Sequence, residues 1–406
     1  MLGPDAMLWT HPGQARYPRQ HSTRPIRADA VARASPAQVR CAASLRSPID
    51  QARVMSLSPN PEVIVFNLKE RYTGVSATVN ALVPLQMEQW PLGYCGTTLS
   101  NGVRGMTLRE ATRLSRHPPP DRPFRIWHVR RDHEMMAGLW ARDLLKLPIR
   151  LVFTSAAQHR HGWFPRWLIS RMDAVISTTD KAASFVPNTS AVVAHGIDLA
   201  RFSPSPDKLA AWADSGLPGR YGIGVFGRVR LDKGTDVFVE AMIAVLPQFP
   251  EATAVIAGLA QPQHRTFEES LRQKIAAAGL SQRIVFLGEV PASRVADWYQ
   301  RCLICVACPR YEPCGLTPVE AAATGCALIC SRTGAFEALV QPGVNGLLVD
   351  TGDASGLAQA LSTLLADPTT TATLGRHALD RVRMDFTLER EADGIGAVYR
   401  RLFAGA

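Results

Sequence analysis

From residue 62 onward, short apolar runs alternate with longer segments whose apolar positions recur at helical spacing. "EVIVFN" (62–67), "RIWHV" (125–129), "RLVFT" (150–154), "AVIS" (174–177) and "AVVA" (191–194) read as strands of a first unit. Between them lie amphipathic helices such as "HEMMAGLWARDLLK" (133–146), and the proline-rich "HPPPDRP" (117–123) marks a loop. A second series begins at "YGIGVFGR" (221–228), with strands near 253–257, 284–287, 302–307, 327–330 and 347–349. Strands alternating with helices predict parallel sheets covered on both faces. The fold class is therefore α/β, with two doubly wound, Rossmann-like domains whose ligands bind at the carboxyl ends of the strands. Residues 195–220, broken by Pro, Ser, Gly and Asp, read as an inter-domain linker, and 385–403 as a last helix with Arg in its final turn.

The resulting division is 61–198, a linker at 199–220, 221–384, and a terminal helical segment at 385–406. Residues 1–60 fall outside the pattern. Residues 1–54 contain eight Arg, no Lys and three acids (Asp5, Asp29, Asp50), without apolar periodicity. An Arg-rich, acid-poor leader fits a transit peptide, a disordered extension, or a start placed too early with Met55 the true first residue.

The chain of 406 residues carries a net charge of +10. That balance favours anionic partners: nucleic acid, phosphates, acidic lipid or acidic sugars. No run of eighteen apolar residues exists, so no spanning helix is predicted. Eight cysteines show no disulfide framework, which fits a reducing cytoplasm. Cys302, Cys305 and Cys308 have the C-x2-C-x2-C spacing of a cluster ligand set, but lie on a short apolar run. Strand alternation would send Cys302 and Cys308 to one face and Cys305 to the other, so no metal centre is predicted.

The chemistry concentrates in "PRYEPCGLTPVEAAATG" (309–325). Thr317 before Pro318 predicts a helix N-cap, with Glu320 in the T-x-x-E capping position. Glu312 lies on the loop after a buried strand and has no such structural role. The N–H groups of Gly315, Leu316 and Thr317 would attract phosphate, and a carboxylate on each side would bind hydroxyls. A ligand with phosphates in the middle and hydroxyl-bearing rings at both ends satisfies both, as a nucleoside-diphosphate sugar does. "VFGRVRLDKGTDVFVEA" (225–241) adds Arg228, Arg230 and Lys233 after a strand that ends at Gly227. They would neutralise a diphosphate, or form a solvated basic loop. "GIGVFG" (222–227) matches the dinucleotide fingerprint, but its glycines surround the strand and no helix follows at once, which argues against nicotinamide binding.

These residues resemble the retaining glycosyltransferases of the GT-B fold, family 4 (glycosyl transferases group 1). The E-x7-E pair is Glu312 and Glu320, and the G-R-x4-K-G segment is Gly227, Arg228, Lys233 and Gly234. "AHGIDLARFSP" (194–204), "FLGEVP" (286–291) and "GAFEALVQPGVNGLLV" (334–349) resemble further signatures of that family. The first half is most similar to lipopolysaccharide core mannosyltransferases of Gram-negative bacteria, through 67–86, 126–161 and 171–179. The resemblance implies two domains facing a central cleft and a C-terminal helix crossing back to the first. It also implies Arg228, Lys233 and Glu312 as catalytic groups. Donor contacts would come from Gly74, Gly227, the base-reading Gly288, Glu289 and Val290, the helix start Gly315, Leu316 and Thr317, and the ribose-holding Glu320.

It implies no cofactor or metal. The donor would be a nucleotide sugar, GDP-mannose, and the acceptor an acidic lipid-linked saccharide of the Kdo–lipid A type, with no nucleic acid. The location would be cytoplasmic, peripheral on an anionic inner membrane face. Where relatives carry His near the reacting sugar this chain has Thr154, with His128 on a neighbouring strand end as a substitute or a structural residue. Cys314 stands where relatives carry Phe. Arg130 and Arg131 would meet an acidic acceptor such as Kdo, or simply face water. "QHRHGWFPRWLISR" (158–171) would lie on an anionic membrane, or pack as an ordinary helix with a basic outer side. Alternatives are a glycosyltransferase of exopolysaccharide or glycolipid synthesis, and a nucleotide-sugar epimerase or hydrolase on the same fold.

Overall fold

The computed structural model describes residues 57–69, 74–100, 102–157, 159–312 and 315–405. The readings of residues 1–54 and of Cys314 lie outside these residues. Two six-stranded parallel sheets form two lobes. The first contains β1 (Val63–Asn67), β2 (Leu92–Gly96), β3 (Arg125–Val129), β4 (Ile149–Ser155), β5 (Ala174–Ser177) and β6 (Thr189–Val192), in the order β2-β1-β3-β4-β5-β6. The second contains β7 (Tyr221–Phe226), β8 (Ala252–Ala257), β9 (Ile284–Gly288), β10 (Cys302–Ala307), β11 (Ala327–Ser331) and β12 (Gly346–Val349), in the order β12-β11-β10-β7-β8-β9. Every residue of β1, β3, β8 and β10 is buried, as expected of strands with helices on both faces. Strand order reverses between β1 and β3, and between β7 and β10. Ligand crevices of doubly wound sheets open at the carboxyl ends of such strand pairs.

The strand β2 was not predicted. Its sequence, LGYCG, has two glycines and no β-branched residue. Gly96 is required sterically: a Cβ there would lie 2.3 Å from the Asn67 carbonyl oxygen of β1. The edge strand β6 begins two residues before its predicted start. The predicted helix 133–146 becomes an α-helix over Asp132–Leu139 and a π-turn over Trp140–Leu144.

The cysteine geometry corrects the alternation argument. Cys302 and Cys305 join the same core layer, with Cys326 and Cys330, while Cys308 lies in the other. The register of β10 against β7 shifts between Cys302 and Ile304, which resets the alternation, and Cys308 falls beyond the strand. All are buried thiols, and burial pushes the Cys308 thiol up to about 12.

Residues 199–220 are packed rather than loose. They contain a helix, Lys208–Ala213, capped by the Asp207 side chain, and they bury Phe202 and Trp212 in the second lobe. The glycine-rich β7 serves that packing, since a Cβ at Gly222 would sit 2.3 Å from the Trp212 ring.

The chain then returns to the first lobe. Helix Leu388–Phe403 puts Ala392, Ile395, Val398 and Tyr399 into the first lobe's core. Where it crosses the outgoing strand, Ile197 N donates to the Phe386 carbonyl (2.8 Å). The buried Glu391 accepts from Gly196 N (2.8 Å) and His195 Nδ1 (3.0 Å). A Cβ on Gly196 would lie 2.2 Å from the Thr387 carbonyl oxygen, so only glycine lets the two segments pass. Overpacking of this kind costs about 1–3 kcal/mol. Gly196→Ala should therefore lower the midpoint of urea unfolding followed by tryptophan fluorescence; an unchanged midpoint would show that the crossing has room.

Candidate active site

In the second lobe the site is built from the loops after β7 and β10. Gly227 ends β7 at φ 135°, and open space surrounds the position a Cβ would occupy. Arg228 follows, exposed. Arg230 pairs with Asp232 (2.7 Å), and a single 3-10 turn, Leu231–Lys233, delivers the chain to Gly234. Gly234 adopts φ 71°, and a Cβ there would be 1.9 Å from the Cys308 carbonyl oxygen. Arg310 then stitches the loops together. Its guanidinium grips Asp236 with two bonds of 2.8 Å and donates to the Leu231 carbonyl, and its N–H reaches the Asp232 carbonyl.

That stitching sets Lys233 beside Glu312, and the two form an ion pair. Glu312 also accepts from Gly315 N (3.4 Å). Lys233, Glu312 and the helix start are thus one chain of contacts. The helix runs Leu316–Ala323, and its N-cap is Gly315 at φ 69°. The capping box predicted at Thr317 does not form. Pro318 occupies the third helical position, which is tolerated because first-turn N–H groups lack helical partners anyway.

Glu320 accepts instead from the Tyr299 hydroxyl (2.9 Å). Tyr299 is buried, with its ring 4.0 Å from that of Phe226 at the end of β7. Burial pushes the Glu320 carboxyl above its ordinary range; the Tyr299 bond and nearby Arg201 oppose that rise. Glu320 and Leu316 line a cavity of about 210 Å³ with Asp198 and Arg201, and with Thr78 and Asn80 of the first lobe. Gly315 and Leu316 also face a second cavity, shared with Thr178, Thr179 and His195.

Beside Gly227, the ends of β8 and β9 form a low ledge. Gly258 N donates to the Gly288 carbonyl (2.8 Å), and a Cβ on Gly258 would lie 1.7 Å from the Gly227 oxygen. Gly288 (φ 70°) has open space above it, followed by exposed Glu289 and half-buried Val290. Gly258 was missed in the sequence; its signal was a glycine directly after a strand. Gly227, Arg228, Lys233 and Gly288–Val290 line neither of these two cavities, and Lys233 connects to the second through Glu312 and Gly315.

In the first lobe, Gly74 opens the helix Gly74–Gln89. Arg131 donates to Asn67 Oδ1 (2.7 Å) and Glu134 Oε1 (3.1 Å), bracing the carboxyl ends of β1 and β3. The fully buried Glu134 also accepts from Leu68 N and Arg130 N. Glu134 was another residue missed in the sequence. Arg131 is therefore engaged in the fold rather than presented to solvent. Arg130 and Thr154 do line a cavity, with Ser155, His159 and His161, and with Tyr311 of the second lobe.

His128 does not. It is completely buried, with Nδ1 2.5 Å from the Tyr399 hydroxyl and Nε2 2.7 Å from Thr154 Oγ1. Burial, with Arg130 nearby, holds its pKa well below the usual histidine range. The crossing helix covers it, so it links β3, β4 and that helix, and no atom of it is left to touch a ligand.

Comparison with known proteins agrees with this architecture. Residues 220–367 match the sequence profile of the family Glycosyl transferases group 1. Over 342 residues the chain is 44% identical to the lipopolysaccharide core biosynthesis mannosyltransferase LpcC of Rhizobium leguminosarum bv. viciae, covering 84% of this chain and 96% of that protein. It is 41% identical to the lipopolysaccharide core biosynthesis mannosyltransferase LpsB of Rhizobium meliloti (strain 1021), covering 84% and 97%. The crystal structure of Anabaena HepE in complex with UDP has a TM-score of 0.73 at 18% identity, over 83% of this chain and 99% of that one. Sucrose-phosphate synthase from Thermosynechococcus elongatus has a TM-score of 0.67 at 21% identity, over 85% and 99%. These two show the fold alone, which is GT-B. The chain belongs to the glycosyl transferases group 1 family of glycosyltransferases.

Proposed function

We propose that the protein transfers mannose, with retention, from GDP-mannose to an acidic lipid-linked saccharide of the lipopolysaccharide core, of the Kdo–lipid A type. The observation that carries this reading is the Lys233–Glu312 pair beside Gly315 N at the β7/β10 reversal. It supplies a cation for a diphosphate and an acid for sugar hydroxyls at one point. Mannose and the core acceptor are read from the two relatives, which the chain matches over nearly their whole length. On donor binding Lys233 would exchange Glu312 for phosphate oxygens, leaving Glu312 to hold the sugar. The C1–O bond to the diphosphate breaks, an acceptor oxygen bonds to C1, and the acceptor proton leaves with the diphosphate. Arg228, Lys233 and the N–H groups of Gly315, Leu316 and Thr317 would stabilise the charge that develops on the leaving group. Glu320 would hold the ribose, Gly288–Val290 the base, and Gly74 would let the first lobe approach the diphosphate.

No helix among the described residues is long and apolar enough to cross a membrane. The first lobe nevertheless exposes Met136, Trp140 and Leu144, spaced four residues apart, and Trp163 and Trp167 on the helix Trp163–Ser170. That helix buries Leu168 and Ile169 instead, so its aromatic side faces solvent. With Arg160, Arg166 and Arg171 close by in sequence, this face suits an anionic membrane surface carrying the acceptor.

Purified protein given GDP-mannose and Kdo–lipid A should form a mannoside of retained configuration. Arg228→Ala, still folded, should lower the rate about 10²–10³-fold. Near-normal turnover of the variant would remove Arg228 from the reaction, and donor consumption without acceptor would mark an epimerase or hydrolase instead. Anionic vesicles should bind the protein in a salt-sensitive way that the double variant Trp163→Ser/Trp167→Ser weakens; equal binding by the variant would discard this face.

Glu320 gives a pH test. Its folded pKa is raised, so as pH climbs from about 4 the unfolded chain loses this proton before the folded one does, and stability falls through that window. Glu320→Gln lacks this loss. Its urea midpoint should gain on wild type as pH rises through the window and then run parallel. A difference independent of pH would show that burial does not govern this carboxyl.

A further inference from the structure

Arg130 stands immediately after β3 and is 7% exposed. Its main-chain N–H is fixed by Glu134 Oε2 at 2.8 Å, but all three guanidinium nitrogens are buried without a hydrogen-bond partner among the described residues. Glu134 is spent on Leu68 N, Arg130 N and Arg131. Asp132 lines the same cavity yet forms no ion pair with Arg130 among the described residues.

Two more polar atoms of that cavity are in the same condition. Ser155 Oγ, on a residue 2% exposed, and His161 Nε2 are both buried without a partner. Buried polar groups are satisfied in the great majority of cases, and an uncompensated buried charge is among the most unfavourable features a fold can hold. Three of them around one cavity of about 180 Å³ are not three accidents. A guanidinium fork, a hydroxyl and an imidazole nitrogen together match an oxyanion. A sugar hydroxyl would fill hydrogen bonds but leave the charge unanswered.

We infer that the cavity formed by Arg130, Ser155 and His161 is a subsite for an anionic oxygen group, carboxylate or phosphate, carried by the acceptor saccharide. This rests on the reading of the cleft as a transferase site with an acidic acceptor. The acceptor is favoured over the donor because the cavity opens at the end of β4 and is lined almost wholly by the first lobe. Thr154, beside Ser155, has its hydroxyl held by His128, which makes His128 a positioning residue for this wall.

The full chain tests this with Arg130→Gln and Ser155→Ala, using GDP, Kdo–lipid A, and Kdo–lipid A with its carboxyl reduced or its phosphates removed. Arg130→Gln should raise the acceptor KM about 10²-fold, as loss of a buried charge contact does, while GDP affinity stays within about twofold. Its thermal midpoint should hold or rise, because an uncompensated charge has been removed. Ser155→Ala should raise the acceptor KM in the same direction by less.

Wild type should discriminate against one modified acceptor and Arg130→Gln should not. Loss of discrimination on the carboxyl-reduced form identifies a carboxylate, and on the dephosphorylated form a phosphate. An unchanged acceptor KM in both variants overturns the subsite, as does GDP affinity falling in step with acceptor KM, which would assign the cavity to the donor. If wild type transfers nothing to this acceptor, the proposed substrate is wrong. The subsite is then judged by thermal shift with free Kdo and inorganic phosphate: stabilisation that requires Arg130 sustains it, and none overturns it.

Discussion

A single close approach governs the second lobe: the backbone of Gly234 lies against the carbonyl of Cys308 with no space for a methyl group. It brings the loop after β7 onto the loop after β10, and the Arg310–Asp236 fork holds it from the outside. Lys233 and Glu312, 79 residues apart in sequence, then meet. The same approach aims the chain so that Gly315, in its left-handed turn, starts the next helix over the strand ends. The contact between the cation, the acid and the helix start rests on two glycines in conformations that favour a residue without a Cβ.

The relation between the lobes depends on a comparable device. Gly196 passes under Thr387, and Glu391 anchors both the strand leaving the first lobe and His195, which lines two of the cleft's cavities. The crossing helix then covers His128. A site between lobes needs its walls placed by something other than the ligand, and here a buried carboxylate on the last helix does so. The crossing is thereby coupled to the wall that carries Thr154, through Tyr399 and His128.

Much of this was legible in sequence because local pattern and local chemistry agreed. The alternation of apolar strands and helices announced the parallel sheets; Glu312, Arg228 and Lys233 stood out as charges on the loops after strands, and Glu320 as an acid in the helix that follows. Failures came where a non-local contact overrode local grammar. Thr317-Pro318-x-Glu320 obeys the rules of a capping box, but the turn at Gly315 starts the helix earlier and Tyr299 takes the carboxylate. Cys302 and Cys305 share a layer because β10 slips against β7, which no single-strand periodicity encodes. His128 occupied a strand end, where ligands bind, yet its cover comes from a residue 271 positions away. The glycine-poor signals of ordinary strands also hid β2, whose Gly96 leaves room for the Asn67 carbonyl.

The two adjacent arginines after β3 show what sequence does not resolve. Arg130 and Arg131 are the same residue type one position apart, at the same strand end, and composition treats them alike. A strand end turning into a helix sends successive side chains in different directions. Arg131 falls on the side of Asn67 and Glu134 and becomes part of the frame. Arg130 falls on the side of the cavity, where the buried carboxylate holds only its backbone. Glu134 can neutralise one guanidinium and accept from main-chain N–H groups, but it cannot serve two. The fold therefore spends this buried acid on geometry and leaves a full positive charge pointing into the cleft. That division separates the residue that shapes the first lobe from the residue positioned to recognise what enters it.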